Sequence, residues 1–539
     1  MQLLPGLRRI PVSTMANEPS FDRAFRALAW LLIVVGFVVR LERYALDFPI
    51  WGDESFVALN FLDRDFLGLT RALESNQIAP VLFLWIELAA TKLLGHSTWA
   101  LRLLPMLAGL TSLLMFRSLA RRLVSEGAAT LAVGVLAVSF WPVTQSTTIK
   151  PYAGDLLCSL ALLIPAVRYL QSADLRWLWL LIALIPVVLL MSYPAVFIVA
   201  AVGLALAPTV WRRGSGDKFT FALLNLFAVA VFLGHYLWVG RAQIGTTGGD
   251  VQQYYQGYWS YGFPPHNLWG WPVWLLQVHV GRMFAYPGGD KWLCWLPFGL
   301  FLLGTWRFRN ERGWSLSVLL LGPFALNLVA AALGKYPYGA CGRLSQHLAP
   351  AICLLIGVGA DWCLQFRATS ASAYLQGVRL TVLGLAGIGL ALLLGQAYEP
   401  FHDREARWTD RVAMELVRQS RSDEPIIVLN PREHVWQTLR WRLASARRVE
   451  WVAADGPRCA NTKGRIWVFH INGEANAPPE MQLLLTGGNF PRKVVAQAHF
   501  VLPPSKGTTG PTRRVSVYCC DRSGAAPRPI PVFSSMPAD

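Results

Sequence analysis

Two adjacent carboxylates, Asp53 and Glu54, follow the first long apolar run, inside IWGDESFVALNFLDRDFLGLTRALESNQIAPVLF (residues 50–83). Acids at the edge of lipid must be solvated, paired or used. Further along, TTIKPYAGD carries Lys150, Tyr152 and Asp155, and GKYPYGACGRLSQH carries Lys335, Tyr336, Tyr338, Arg343 and His347. A long polar and aromatic stretch, 241–290, adds Arg241, His266 and Arg282. If these segments share one face, a carboxylate can accept a proton while Lys and Arg hold a phosphate and neutralise the charge developing on it. The elements that carry these residues decide whether they share that face.

A chain of 539 residues that is 54% hydrophobic and 15% charged, with mean hydropathy +0.38, has more apolar surface than soluble cores can hide. It reads as an integral membrane protein. A net charge of +17 then fits arginine-rich inner loops rather than nucleic-acid binding. Eight cysteines include no CxxC pair. Cys158, Cys294, Cys353 and Cys363 sit in apolar runs as small core residues. Only Cys459 with Cys519 or Cys520 suggests a disulfide, provided the tail lies outside the membrane.

The first 22 residues are polar and basic and lack the pattern of a cleaved signal peptide. Arg8, Arg9, Arg23 and Arg26 lie ahead of or at the very start of the first span, at roughly 25–45, and keep the N-terminus inside. Asp53 and Glu54 then lie outside. The apolar run near 79–94 is short, carries Glu87, Thr91 and Lys92, and opens on Pro80. It reads as a helix lying in the interface. If it crossed, Arg117, Arg121 and Arg122 would fall outside, against the positive-inside rule.

The remaining spans are expected at roughly 99–119, 127–148, 152–171, 176–193, 195–211, 219–240, 291–307, 314–333, 347–364 and 379–398. About eleven spans in all place the C-terminus outside. Three groups test that parity: Arg212, Arg213 and Lys218; Arg307, Arg309 and Arg312; Arg367 and Arg379. All land inside, as the rule requires. The same parity gathers Asp53, Glu54, Lys150, Tyr152, Asp155, Arg241, Tyr336 and Arg343 on the outer face.

Each feature also has a plainer reading. The acid pair could be a solvated loop or a helix cap, and Lys150 and Arg343 could meet lipid headgroups. Asp155 lies about one turn inside a span, where an acid must be paired or used. The aromatics of VQQYYQGYWSYGFPPHNLWGWPVW suit an interfacial belt better than sugar stacking. His266, His347 and His402 lack ligand-like spacing, so no zinc site is expected.

The order of these motifs resembles a known class. An acidic pair after the first span, a proline-led interfacial helix, an Arg-containing span start and a Tyr and Asp at an outer turn are similar to the GT-C membrane glycosyltransferases. More narrowly, they resemble bacterial relatives of protein O-mannosyltransferases and lipid A aminoarabinose transferases. The resemblance covers about residues 25–365 and is strongest in WGDESFVALN, NQIAPVLF, WALRLLP, KPYAGDLL and GRLSQHLAP.

The resemblance implies a polytopic all-α GT-C-type bundle that transfers one sugar, with inversion, from a polyprenyl-phosphate donor to a glycan, lipid or protein acceptor at the outer face. Asp53 would orient the acceptor and take its proton, with Glu54 beside it and Asp155 as the second acid. Arg343 and Lys150 would hold the donor phosphate, with Tyr152, Tyr336, Arg241 and Gln77 among the substrate-binding residues. No cofactor or metal is needed if those cations suffice; a divalent metal stays open but is not indicated. Related transferases often place His or Lys just before the proline of the interfacial helix, whereas this chain has Gln77, Ile78 and Ala79 before Pro80. Gln77 could donate a neutral hydrogen bond there, leaving the charge to Lys150 or Arg343. A transporter or flippase of lipid-linked sugars is the alternative, but the outer acids and bases have no matching inner set.

From about Phe401 the composition becomes that of a soluble domain. EPIIVLN, GRIWVFHI, KVVAQAHFVL and RRVSVYCC read as strands and HVWQTLRWRLA as an amphipathic helix. The expected organisation is a cytoplasmic segment at 1–24, a transmembrane catalytic domain at 25–398, a small extracytoplasmic α/β domain at 399–522 and a flexible tail at 523–539.

Overall fold

In lipid, every backbone N–H and C=O must find its partner within the segment, so long apolar runs become helices. The computed structural model describes residues 19–244, 256–289, 294–402, 404–419, 424, 426–429, 434–445, 465–471, 493–502, 513–521 and 528–529. Its helices are α1 (Pro19–Ala45), α2 (Gly52–Ala58), α3 (Val81–Leu94), α4 (Thr98–Leu123), α5 (Glu126–Val138), α6 (Tyr152–Ser172), α7 (Arg176–Met191) and α8 (Ala195–Trp211). They continue with α9 (Ser215–His235), α10 (Trp271–Val278), α11 (Trp295–Arg312), α12 (Trp314–Ala332), α13 (Ala349–Arg367), α14 (Ala371–Tyr398), α15 (Arg404–Gln419) and α16 (His434–Ser445). Each stretch expected to span overlaps a helix, and α1 begins ahead of its expected start; the expected 127–148 span is instead broken at Ser139, with α5 ending at Val138 and a separate short helix at Phe140–Gln145.

Among the described residues, 7 helices are long and apolar enough to cross a membrane: Phe21–Ala45, Thr98–Leu123, Tyr152–Ser172, Ser215–Ile244, Trp314–Ala332, Gln346–Arg367 and Ala371–Tyr398. Helices α5, α7 and α8 are shorter apolar helices. Helix α3, 14 residues long, rises only about 21 Å at 1.5 Å per residue, less than a bilayer core of about 30 Å. Helix α10 lies within 241–290, which the sequence suggested as loop.

The chain divides into two compact units. The first holds the residues up to Leu46, with Asp65–Leu93 and Trp99–Tyr398; the second holds Asp47–Arg64, Leu94–Thr98 and the chain from Glu399 onward. The first-loop segment carrying Asp53 and Glu54 groups with the C-terminal part.

In the first unit, α5 is buried from Gly127 to Val138 and packs against α1, α13 and α14. Small residues allow that approach: a Cβ at Gly357 would lie 2.6 Å from Ala132 Cβ and 2.7 Å from the Ala128 carbonyl oxygen. Arg40, 1% exposed, reaches from α1 and donates to the carbonyls of Ala137 at 2.8 Å and Leu136 at 3.4 Å. It satisfies acceptors that the end of α5 leaves without intrahelical partners.

The second unit contains a sheet of β1 (Ile426–Leu429), β2 (Ile466–Ile471), β3 (Lys493–Leu502), β4 (Arg513–Asp521) and β5 (Arg528–Pro529). Its order is β1-β2-β4-β3-β5. The β1–β2 pair is parallel, with Ile426 opposite Trp467. The pairs β2–β4 and β3–β4 are antiparallel, with Val468 opposite Tyr518 and Ala498 opposite Val517. Strand β5 pairs with β3 inside the stretch expected as a tail; the rest of that tail, and Cys459, lie outside the described residues. Cys519 and Cys520 are buried on β4.

Candidate active site

The acid pair belongs to the second unit. Glu54 is the third residue of α2, and its Oε2 accepts the Trp51 N–H at 3.4 Å, an N-terminal capping contact that fixes the start of the helix. Negative charge in a first helical turn also complements the macrodipole. Glu54 is 2% exposed, whereas Asp53 is partly exposed. Of the two acids, Asp53 is the more exposed. Trp51, directly before the helix, stacks on His402 with ring centroids 4.0 Å apart and planes 1° apart.

The remaining candidates belong to the first unit, where they form two groups. The first group surrounds NQIAP, the approach to α3. The Lys150 ammonium donates to Gln77 Oε1 at 2.6 Å, and the Gln77 amide donates to the Ser75 carbonyl at 3.1 Å. Gln77 therefore accepts a cation rather than facing outward as a neutral donor. Two residues on, the Ala79 N–H donates to Gln243 Oε1 at 3.1 Å and the Ala79 carbonyl accepts from Gln243 Nε2 at 3.1 Å. Tyr193 adds its hydroxyl to the Ala79 carbonyl at 3.1 Å and to Gln243 Oε1 at 3.0 Å. The segment ahead of Pro80 is thus tied on both sides.

Gln243 and Tyr193 were not among the expected site residues. Arg241 was, and it is exposed, while Gln243, two positions later, is buried. The only sequence signal for Tyr193 is the polar Ser192-Tyr193-Pro194 break between two apolar runs; Gln243 has no comparable signal.

The second group lies at the start of α6 and the 335–348 loop. Asp155, in the first turn of α6, is 2% exposed, and its Oδ1 finds no hydrogen-bond partner among the described residues. Such a carboxyl within a membrane helix is costly. Tyr336 lies close to it: loss of solvation raises the Tyr336 phenol well above its ordinary range, with Asp155, Tyr152 and Cys341 adding to the rise. Its hydroxyl donates to the Leu344 carbonyl at 3.3 Å. Tyr152 also packs on the cluster of Trp259, Ala340 and Leu344. The Arg343 guanidinium sits 4.8 Å above the Trp259 ring, and that of Arg282 lies 3.6 Å above Tyr261, a ring packed on the same cluster. Asp155, Tyr152, Tyr336 and Arg343 are therefore brought together, with Arg282 as an additional cation.

Arg282, Tyr261, Phe263, Trp271, Trp274 and Gln277 line a groove of about 1190 Å³, wide enough for a sugar or a lipid segment. The expected aromatic belt thus supplies part of a concave surface. Among the described residues, no three or more His, Cys, Asp or Glu side chains form a group able to hold a metal ion. Within the first unit, Lys150 belongs to the group around Gln77, and Arg343 and Arg282 lie over the aromatic rings of the second group.

Residues 79–238 match the family described as dolichyl-phosphate-mannose-protein mannosyltransferase. No curated protein matches the chain. Among solved structures, the fold is similar to ArnT from Cupriavidus metallidurans bound to undecaprenyl phosphate, with TM-score 0.57 and 14% identity over 93% of this chain and 99% of that one. The same enzyme in the apo state gives TM-score 0.54 and 14% identity over 93% and 98% of the two chains. The apo oligosaccharyltransferase of Archaeoglobus fulgidus gives TM-score 0.47 and 12% identity over 80% of this chain and 65% of that one. The family match and the ArnT-like fold support the GT-C class of membrane glycosyltransferases that the sequence resembles.

Proposed function

We propose that this multi-pass membrane protein transfers a sugar from a polyprenyl-phosphate donor to an acceptor at the outer face of a membrane, with the bacterial inner membrane as its setting. The observation that carries this reading is the Lys150–Gln77 contact at 2.6 Å. It brings a cation to the segment before Pro80, where the resemblance implies a phosphate contact. The fold is shared with ArnT, whose structure holds undecaprenyl phosphate, and the matched family is described by a dolichyl-phosphate sugar donor.

In the proposed reaction, the acceptor hydroxyl oxygen bonds to the anomeric carbon as the bond from that carbon to the phosphate oxygen breaks. Asp53 accepts the hydroxyl proton, and attack from the face opposite the leaving group inverts the centre. The polyprenyl phosphate leaves with its bonding electron pair, and Lys150 and Arg343 neutralise the charge it gains. Glu54 fixes the helix that carries Asp53. Asp155 with Tyr152 and Tyr336 shapes the donor site, Gln77 seats Lys150, and Arg241 meets donor or lipid headgroup at the surface. About eleven spans, an inner N-terminus and an outer C-terminal domain complete the proposal. The acceptor is a glycan, lipid or protein hydroxyl, since each needs the same base and the same phosphate clamp.

The test is Asp53→Asn in membranes supplied with a polyprenyl-phosphate sugar. The variant is expected to fold and to lose transfer. An unchanged product profile in the Asp53→Asn, Asp155→Asn double variant would sink the proposal. Mass spectrometry of surface glycans and glycolipids with and without the protein identifies sugar and acceptor.

A further inference from the structure

The loop that carries the acid pair is built into the C-terminal α/β unit. Its anchors stand at both ends of the acid-bearing stretch. Trp51, two residues before Asp53, stacks on His402 at 4.0 Å, and His402 follows closely on the end of α14. Asp63, which ends the short helix Asn60–Asp63, accepts from Arg440 of α16 at 2.8 Å. Between these anchors, α2 packs against α16. The neighbouring segment 94–98 joins them: Thr98 donates to Asp47 Oδ1 at 2.6 Å, and His96 meets the edge of Trp441 at 6.2 Å. Trp441 is only 1% exposed, so α16 offers this loop a fixed surface.

The Asp63–Arg440 pair has little value as stability. The Asp63 side chain is 66% exposed and that of Arg440 is 21% exposed, and ion pairs of this kind contribute little and weaken with salt. Its value is geometric. A general base must lie within about 3 Å of the proton it takes, and a misplacement of about 1 Å costs about 10²-fold in rate.

We propose that the C-terminal domain is a positioning element for Asp53, with Arg440 and His402 as positioning residues that hold the 51–63 loop in one posture. This rests on the glycosyltransferase reading above. The domain is then part of the catalytic apparatus, acting through the loop.

The experiment compares Arg440→Gln, His402→Ala, Trp51→Ala, Trp51→Phe and the charge-swapped pair Asp63→Arg with Arg440→Asp, each in the full chain in membranes. Amide hydrogen exchange across 51–63 is read alongside kcat and donor KM. Arg440→Gln, His402→Ala and Trp51→Ala are expected to speed exchange in the loop and lower kcat about tenfold with donor KM unchanged. Trp51→Phe and the swapped pair are expected to restore both. Loop exchange and kcat unchanged in Arg440→Gln and His402→Ala would overturn the inference, as would a loss carried by donor KM or one that the swap fails to restore. Absence of transfer by the parent chain overturns the glycosyltransferase reading itself; an active parent with indistinguishable variants overturns this inference alone.

Discussion

The Lys150 ammonium donates to Gln77 Oε1 at 2.6 Å, joining the turn that opens α6 to the segment that enters α3. Lys150 is 6% exposed and Gln77 8% exposed, so the contact is shielded from bulk water. The Gln77-Ile78-Ala79 segment directly before Pro80 has no cation of its own and receives one from 73 residues away.

That relationship predicts a rescue. Lys150→Ala is expected to lower kcat/KM for the polyprenyl-phosphate sugar by about 10²-fold, the scale of losing one charge-stabilising group. Adding Gln77→Lys to that variant places an ammonium on the same segment and is expected to recover at least about tenfold of the loss. Steady-state kinetics in membranes decides it. Full activity in Lys150→Ala would remove Lys150 from the phosphate clamp.

Gln243 ties both backbone groups of Ala79. In Gln243→Ala the N–H and C=O of Ala79 lose these partners, at a cost of about 1–3 kcal/mol. Tyr193→Phe removes one hydroxyl from the same network and costs about 1 kcal/mol. Both variants are expected to melt earlier in detergent and to raise donor KM, Gln243→Ala more than Tyr193→Phe. An unchanged donor KM in a destabilised Gln243→Ala would limit the residue to a structural role.

His279 supplies a pH dependence. Its ring stacks on Phe298 at 5.2 Å and its Nε2 meets the Tyr338 hydroxyl at 2.9 Å. Burial holds the imidazole down from its ordinary 6.5 to about 4. Between those values the unfolded chain binds a proton that the folded chain refuses, so stability rises with pH across this window. The contribution is complete above 6.5 and is lost as pH falls towards 4. At about pH 5 the loss is on the order of 2 kcal/mol. Tm should therefore fall between about pH 7 and about pH 5, and less so in His279→Gln. Equal falls in parent and variant would assign the acid sensitivity elsewhere.

Much of the architecture was legible without coordinates, for a physical reason. A run of apolar residues long enough to cross lipid can only be helical, because no other local structure pairs its own backbone there. Composition and length alone therefore located the stretches that became α1, α4, α6 and α12–α14. Strands β1 to β4 announced themselves by short β-branched and aromatic runs. Helix α15 was missed, since Arg404–Gln419 is amphipathic but lies where the composition was changing and no apolar run marks it.

The candidate site was legible only as residue types. Charge parity sets only the expectation that Asp53, Lys150, Asp155 and Arg343 share one face, because lysine and arginine in short loops are held on the inner side. The pairings were not available in this way. That Gln77 accepts from Lys150, that Gln243 rather than Arg241 grips Ala79, and that Arg282 joins Arg343 around Trp259 and Tyr261 are contacts between segments far apart in the chain. So is the grouping of the Asp53 loop with α16. Local hydrogen bonding and hydrophobic length are properties of a stretch and can be read from it. Which stretches meet depends on the packing of all the others, and that was decided only by the tertiary structure.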